Sequence, residues 1–165
     1  MKLMRLMRHL STGHAAMRRA FPPHTLDAIE HAIRETEGMH TGQIRFAIEP
    51  ALDLKLLLAG RTARARAVEV FSELRVWDTE YNNGVLIYLL LADHDVEIVA
   101  DRGIHAMLGK AVWEEICREM ELAFRDGKFE QGVLVGIRSV GGHLASHYPH
   151  AGVKHNELPD RPVLL

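Results

Sequence analysis

The sequence has a single cysteine, few aromatic residues and no long apolar run. Cys117 cannot form an internal disulfide, and without a Cys-x-x-Cys pair neither structural zinc nor a dithiol redox centre is expected. The longest apolar run, 85–92, is far shorter than the roughly 20 residues of a membrane-spanning helix. We therefore expect a cytoplasmic protein of a reducing compartment, without a transmembrane segment.

The chain also lacks an excess of either charge, since 20 basic residues stand against 22 acidic residues. A net charge of -2 provides no strong positive field for phosphate backbones, so no nucleic-acid partner is predicted. The length of 165 residues and the 47% hydrophobic content are ordinary for one globular domain. This composition disfavours disorder, collagen-like repeats and a coiled coil.

Residues 1–20 form a basic, methionine-rich segment, which we interpret as an N-terminal helix or arm. Arginines interrupt its apolar residues, unlike the continuous apolar region of a secretory signal peptide. Two interpretations stay open: an amphipathic helix that lies on a membrane surface or a partner, or a first helix packed on the domain. We expect one domain over residues 21–150, followed by a C-terminal tail over residues 151–165.

The hydrophobic pattern predicts alternating helices and strands. Apolar residues at helical spacing predict four helices, near 26–38, 61–74, 108–124 and 129–148. Alternation over 43–49 predicts a half-exposed strand, the apolar run 85–91 predicts a strand covered on both faces, and a hairpin leads to a third strand at 96–100. This order predicts the α/β class, as a three-layer α/β/α sandwich with a small mixed sheet and helices on both faces.

A loop before the second predicted strand carries the motif Trp-Asp-x-x-x-Asn-Asn-Gly-Val-Leu over residues 77–86. This motif resembles the signature of the TPM domain family, the thylakoid-lumen phosphatase-like proteins and their bacterial relatives. Segments 41–44, 100–104 and 124–129 resemble further motifs of the family. The resemblance therefore covers roughly residues 25–148, and the chain is similar to the cytoplasmic bacterial members.

The resemblance implies a shallow acidic site at one end of the sheet, where some members bind calcium or another divalent ion. Acid phosphatase activity is attributed to the plant branch. Other relatives are similar to non-catalytic accessories of membrane-protein assembly, repair or stress response. Bacterial members often accompany LemA-type membrane proteins, so the implied partner is a LemA-type or TPM-type membrane-associated protein.

The motif loop offers the oxygen ligands that Ca²⁺ or Mg²⁺ prefers. The candidate metal ligands are Asp78, Asn82, Asn83, Asp101 and Asp126. The resemblance places the first three in the site, and the last two would join them if the hairpin end and the turn at 125–127 share one edge of the sheet. An alternative is that Asp78 and Asn83 only cap a turn. Lys128 stands where relatives often carry an acidic residue, which weakens the expected affinity.

A phosphatase needs a nucleophile or a metal-bound water, together with cations for the phosphoryl oxygens. The candidate catalytic residues are Asp78, which would hold the ion, and Arg102 or Arg125, which would bind phosphate. The sequence contains no Asp-x-Asp-x-Thr, Cys-x5-Arg or Arg-His-Gly motif. We therefore expect an accessory or interaction module with a weak divalent-cation site. The alternative is a metal-dependent acid phosphatase acting on phosphomonoesters.

Two further features of the sequence carry weaker hypotheses. His143 and His147 stand one helical turn apart, a spacing that can chelate zinc or nickel, and His150 and His155 follow. No Glu-x-x-His core or cysteine adjoins these histidines in the sequence, so solvated histidines are the favoured interpretation. Cys117 lies within an apolar helical pattern, and we predict that it is a small core residue.

Overall fold

The computed structural model describes residues 2–150, 152 and 156–165. Within these residues the chain forms eight α-helices and four β-strands. In chain order they are α1 (Lys2–Ser11), α2 (His14–Ala20), α3 (Pro23–Glu37), β1 (Gln43–Glu49), α4 (Leu54–Leu58), α5 (Ala63–Glu73), β2 (Gly84–Leu90), β3 (Asp95–Ala100), α6 (Arg102–Leu108), α7 (Lys110–Arg125), α8 (Phe129–His147) and β4 (Val163–Leu164).

The four strands form one mixed sheet in the order β3-β2-β1-β4. β1 runs parallel to β2 and to β4, whereas β2 and β3 are antiparallel and are joined by a 3-10 turn at Leu91–Asp93. The connection from β1 to β2 passes through α4 and α5, as a parallel pair requires. The predicted mixed sheet is confirmed.

Helices cover both faces of the sheet, which confirms the α/β sandwich. The larger core lies between the sheet and helices α3, α7 and α8, and its residues from β1 and β2 are Ile44, Phe46, Ile48, Val85, Ile87 and Leu89. The smaller core lies under α5, and its residues from β1 and β2 are Ala47, Leu86, Tyr88 and Leu90. Alternate residues of β1 and β2 thus enter opposite cores, which explains the continuous apolar run of β2.

β1 is buried on both faces, so the prediction of a half-exposed strand is wrong. Arg45 is buried, and its Nη1 donates to the carbonyl oxygen of Pro159. The Oε1 atom of buried Gln43 accepts hydrogen bonds from the amides of Glu157 and Leu158 at 3.0 and 2.9 Å. Gln43 and Arg45 therefore face a covering segment rather than water, and each forms hydrogen bonds with its backbone.

Residues 156–165 supply that covering segment and correct the expectation of a tail over 151–165. Leu158 is buried in the smaller core, and Val163 and Leu164 pair with Ala47 and Ile48 of β1. A strand of two residues carries too little periodicity for sequence patterns to reveal it. Residues 151 and 153–155, including His155, lie outside the described residues.

The segment over residues 2–20 consists of two helices rather than one helix or arm. Met17 of α2 is buried in the larger core together with Phe21, so α2 packs on the domain. α3 begins at Pro23, whose fixed φ suits a first helical position. None of the described helices is long and apolar enough to cross a bilayer.

Candidate functional site

The motif loop over residues 77–83 has its conformation set by close backbone contacts. A Cβ atom at Gly84 would lie 1.9 Å from the carbonyl oxygen of Val76, so only glycine fits where β2 begins. Asn82 has a φ of 52°, in the left-handed region that asparagine tolerates better than most residues. The Asn-Asn-Gly sequence therefore makes the sharp turn that carries the chain into β2.

Asn82 joins this loop to the start of α6. Its carbonyl oxygen accepts from the amides of Gly103 and Ile104 at 3.0 and 3.4 Å, and its Oδ1 accepts from Nε of Arg102 at 3.3 Å. A Cβ atom at Gly103 would lie 2.5 Å from that carbonyl oxygen. The Asp-Arg-Gly sequence after the hairpin thus permits the close approach of the two segments.

Asn83 is fully buried at the start of β2. Its amide donates to Oγ1 of Thr79 at 3.2 Å, and its Nδ2 donates to Oγ1 of Thr41 at 3.3 Å. Its Oδ1 is enclosed and has no hydrogen-bond partner among the described residues. Thr79, rather than the side chain of Asn83, therefore closes the turn, and Asn83 keeps an unused acceptor.

Asp101 lies at the N-terminus of α6, next to this loop. Its amide donates to the carbonyl oxygen of Gly84 at 2.9 Å, and its Oδ1 accepts from the amide of Arg102 at 2.7 Å. Its Oδ2 is enclosed without a partner among the described residues. Burial raises the pKa of the Tyr148 phenol, and the negative charge of Asp101 raises this pKa further.

We call this group of residues the polar cluster. Its members are Asn82, Asn83, Asp101, Arg102 and Tyr148. Tyr148 follows α8, and its carbonyl oxygen accepts from the amide of Thr41 at 2.9 Å. The motif segments 77–86 and 100–104 contain the first four members, but no local signal indicated that the end of α8 would reach them.

Asp78 and Asp126 stand apart from the cluster in different ways. Asp78 is exposed on the motif loop, and its side chain has no hydrogen bond or ion pair within the described part of the chain. Asp126 follows α7, a helix of 16 residues and therefore about 24 Å long. α7 begins beside α6, and Gly127 and Lys128, which follow Asp126, line a pocket together with Asp93 and His94, so Asp126 lies at the end of the sheet opposite Asp101. The expected convergence of Asp126 with Asp101 is wrong.

Arg125, the residue before Asp126, also lies far from the polar cluster. Burial lowers the pKa of His94 at the end of the 3-10 turn, and the positive charges of Arg8 and Arg125 lower it further. This coupling places Arg125 beside the turn between β2 and β3. Of the two candidate phosphate-binding arginines, only Arg102 therefore belongs to the polar cluster.

The cluster is poor in charged ligands for a metal. Among the described residues no group of three or more His, Cys, Asp or Glu side chains could hold an ion. An ion at the cluster would depend on Asp101, on amide oxygens and on whatever Asp78 adds from the loop. Such a set suits a hard cation such as Ca²⁺, bound weakly because few ligands are charged.

The histidines and the cysteine have local contacts. Nδ1 of His147 lies 2.8 Å from the carbonyl oxygen of His143, while the ring of His143 meets Trp113 edge-on at a centroid distance of 6.4 Å. The two rings thus have separate contacts. Burial raises the pKa of the Cys117 thiol to about 12, which leaves it unreactive, as a core residue should be.

A different cluster occupies the opposite end of the sheet. Asp93 accepts from Nε of Arg5 at 2.8 Å, from Nη2 of Arg8 at 2.9 Å and from Nε2 of His9 at 3.1 Å. The amide of Leu52 donates to Nδ1 of the same buried histidine at 3.0 Å. Burial alone would raise the pKa of Asp93, but the bonds and charges of Arg5 and His9 hold it below its ordinary value. We call these residues the Asp93 ion cluster.

Comparison with known proteins decides the family. A sequence model of the TPM domain matches residues 17–143. The chain belongs to the TPM domain family. The match includes the motif loop and Asp101 of this TPM domain. Helix α1, Tyr148 and strand β4 lie outside the matched range.

Two solved structures are similar to this TPM domain. The BA42 protein of the psychrophilic bacterium Bizionia argentinensis, solved by NMR, has a TM-score of 0.75 and 30% sequence identity, over 86% of this chain and 92% of that chain. The N-terminal domain of a P. gingivalis protein has a TM-score of 0.63 over 79% of this chain and 82% of that chain. Its identity of 16% supports the fold alone. No curated protein matches the chain significantly.

Proposed function

We propose that this TPM domain is an accessory binding module that takes up a divalent cation at the polar cluster. The observation that supports this proposal is the presence of two enclosed oxygens, Oδ1 of Asn83 and Oδ2 of Asp101, that have no hydrogen-bond partner within the described part of the chain. A buried acceptor without a donor costs free energy of folding, and an oxygen-seeking ion such as Ca²⁺ or Mg²⁺ removes that cost.

The proposed ligands are Asp78, Asn82, Asn83 and Asp101. Asp126 is not included, because it lies at the opposite end of the sheet. Two features predict weak binding: few ligands are charged, and the Nε atom of Arg102 lies 3.3 Å from Oδ1 of Asn82, where it competes with a cation. We expect a dissociation constant for Ca²⁺ on the order of 10⁻⁴ to 10⁻³ M.

Calorimetric titration of chelator-treated protein with calcium tests this site. We expect saturable one-to-one binding that Asp101→Asn weakens at least tenfold, because the substitution removes the carboxylate charge and keeps the shape of the side chain. Asp126→Asn is the matched control and should bind like the wild type. An absence of heat at millimolar calcium, or an equal loss in both variants, would reject the proposed ion site.

A metal-dependent phosphatase is the alternative function. In that mechanism an ion held at Asp78 and Asp101 would activate water, and Arg102 would bind the phosphoryl oxygens. The position of Arg125 leaves one candidate arginine in the cluster, so we favour binding over turnover. Hydrolysis of a phosphomonoester that disappears with chelator and with Asp101→Asn would instead support the phosphatase.

The partner class also belongs to the proposal. The family resemblance implies a LemA-type or TPM-type membrane-associated protein. Co-elution of this domain with a purified protein of that kind, in calcium but not in chelator, would join the partner to the cation site. Co-elution that is the same under both conditions would show that the cation does not control the interaction.

A further inference from the structure

Helix α1 presents its apolar side to solvent. The exposed fractions of its large apolar residues are 71% for Leu3, 75% for Met4, 61% for Met7 and 67% for Leu10. These residues share one side of the helix, because they recur at the spacing of an α-helix. A surface helix of a globular domain normally turns such a side toward the core. Helix α1 instead turns its apolar side toward solvent.

The polar side of α1 holds the helix in this orientation. His9 is 6% exposed and connects Asp93 to the amide of Leu52, while Arg5 donates to Asp93 and to the carbonyl oxygen of Arg61. These bonds cross more than 40 residues of sequence and fix the rotation of the helix about its axis. The outward direction of its apolar side is thus part of the folded structure.

Helix α4 continues the apolar surface. A groove of about 470 Å³ lies between the two helices and is lined by Leu3, Arg5, Leu6, Leu57, Leu58 and Gly60. Leu54 and Leu58 of α4 are themselves 52% and 74% exposed. We call the combined surface the α1–α4 face, and its exposed members are Leu3, Met4, Met7, Leu10, Leu54 and Leu58.

The helices beside this face are positively charged. Residues 1–26 contain no Asp or Glu, and their basic residues are Lys2, Arg5, Arg8, Arg18 and Arg19. Arg8, Arg18 and Arg19 are exposed, as is Lys55 of α4. The adjoining acid Asp53 caps α4 by accepting from the amide of Leu56 at 2.8 Å. An apolar strip whose own two helices carry exposed Arg8 and Lys55 matches the acyl and headgroup layers of an anionic membrane surface.

We propose that the α1–α4 face docks on the surface of a bilayer that contains anionic phospholipid, with α1 lying in the plane of the interface. A second copy of the chain fits the face less well, because it would add another N-terminal segment that contains basic residues and no Asp or Glu, rather than negative charge. The described helices cannot span the bilayer, so contact is confined to one leaflet. This inference does not depend on the proposed cation site.

Sedimentation of the full chain with vesicles tests the proposal. One vesicle set contains equal parts of phosphatidylglycerol and phosphatidylcholine, a second contains phosphatidylcholine alone, and chelator keeps the cation site empty. We expect binding to the anionic vesicles, weaker binding at high salt, and at least tenfold weaker binding to the neutral vesicles. Lys55→Gln, a change on α4 itself, should lower binding to the anionic set by about fivefold, the worth of one cation near such a surface.

A matched pair of variants separates the α1–α4 face from exposed apolar residues in general. Met7→Glu changes the face, whereas Met107→Glu makes the same change at a methionine of α6 that is 56% exposed at the other end of the sheet. We expect Met7→Glu to weaken vesicle binding at least tenfold and Met107→Glu to leave it unchanged. Both positions are exposed, so both variants should keep the wild-type circular dichroism.

Three results would overturn the proposal. The first is an absence of binding to either vesicle set. The second is equal weakening by Met7→Glu and Met107→Glu. The third is a dimer, seen by light scattering without vesicles and lost in Met7→Glu, together with an absence of vesicle binding, which would assign the face to a second copy of the chain.

Discussion

The two ends of the sheet each hold an aspartate that follows a strand, and the two aspartates have different surroundings. Asp93 accepts from three cationic or imidazole donors, and those partners hold its pKa below the ordinary value. Asp101 accepts from the amide of its own neighbour, Arg102, and keeps one enclosed oxygen without a partner among the described residues. Satisfied acceptors stabilise a fold, whereas an unsatisfied one indicates a ligand or a cost. The comparison therefore assigns a structural role to Asp93 and a candidate ligand-binding role to Asp101.

The largest effect on stability is expected at the satisfied end. Asp93→Ala leaves buried His9 and half-buried Arg5 without their acceptor, and we expect the free energy of unfolding to fall by about 3 kcal/mol. Because the pKa of Asp93 is lowered in the folded state, this stabilisation is present above the ordinary carboxyl pKa of about 4 and is lost at lower pH. Urea unfolding at pH 7 and pH 3 measures both effects.

Asp126→Ala is the control for this variant. The Asp126 side chain is 65% exposed, and its ion pair with Lys128 spans 3.5 Å. We expect a change within about 0.5 kcal/mol. Equal destabilisation by the two variants would remove the distinction between a satisfied cluster and an ordinary surface carboxylate.

Asp95, two residues after Asp93, is expected to have a smaller effect on the free energy of unfolding, and one of opposite sign. Burial, together with the negative charges of Glu97, Glu121 and Asp93, raises the pKa of Asp95 to about 6, against a lowering by Arg5. Since the folded state binds this proton more tightly than the unfolded state does, stability decreases as the pH rises from about 4 to about 6. Asp95→Asn should stabilise the protein at pH 7 by about 1 kcal/mol, a figure reduced for partial exposure.

Urea unfolding between pH 4 and pH 7 checks this prediction. The stability difference between Asp95→Asn and the wild type should grow through this range, whereas Asp126→Asn should show no comparable trend. A destabilised Asp95→Asn at pH 7 would mean that the charged carboxylate is favourable, and that this end of the sheet has cationic partners in excess.

The fold was largely predictable because most of its elements have local patterns. The alternation over 43–49 predicted β1 with its observed bounds, and the helical spacing over 129–148 predicted α8 within one residue. β4 was missed because a two-residue strand has no readable period and pairs with a strand more than 100 residues earlier. The same distance in sequence explains why the exposure of the β1 side chains was predicted wrongly, since the segment that covers them comes last in the chain.

The candidate site was predictable only as far as its motifs extend. Asn82, Asn83 and Asp101 come together because neighbouring strand ends bring them together, and Tyr148 was missed because only tertiary packing carries it there. Asp126 was misplaced because α7 carries the chain away from α6 along the full length of the sheet. A motif indicates which residues are special, but the length of the helix between two motifs decides whether they meet.

A small effect on stability is expected for a substitution at the unsatisfied end when no cation is present. Asp101→Asn keeps an oxygen to accept from the amide of Arg102 and removes a charge that has no enclosed partner, so in chelator we expect a change within about 1 kcal/mol. In excess calcium, at about 100 times the dissociation constant, the wild type should gain about 2.7 kcal/mol and the variant should gain little. Thermal unfolding with and without calcium measures both. If Asp101→Asn unfolds as readily as Asp93→Ala in chelator, Asp101 is a structural residue, and the two ends of the sheet do not differ in kind.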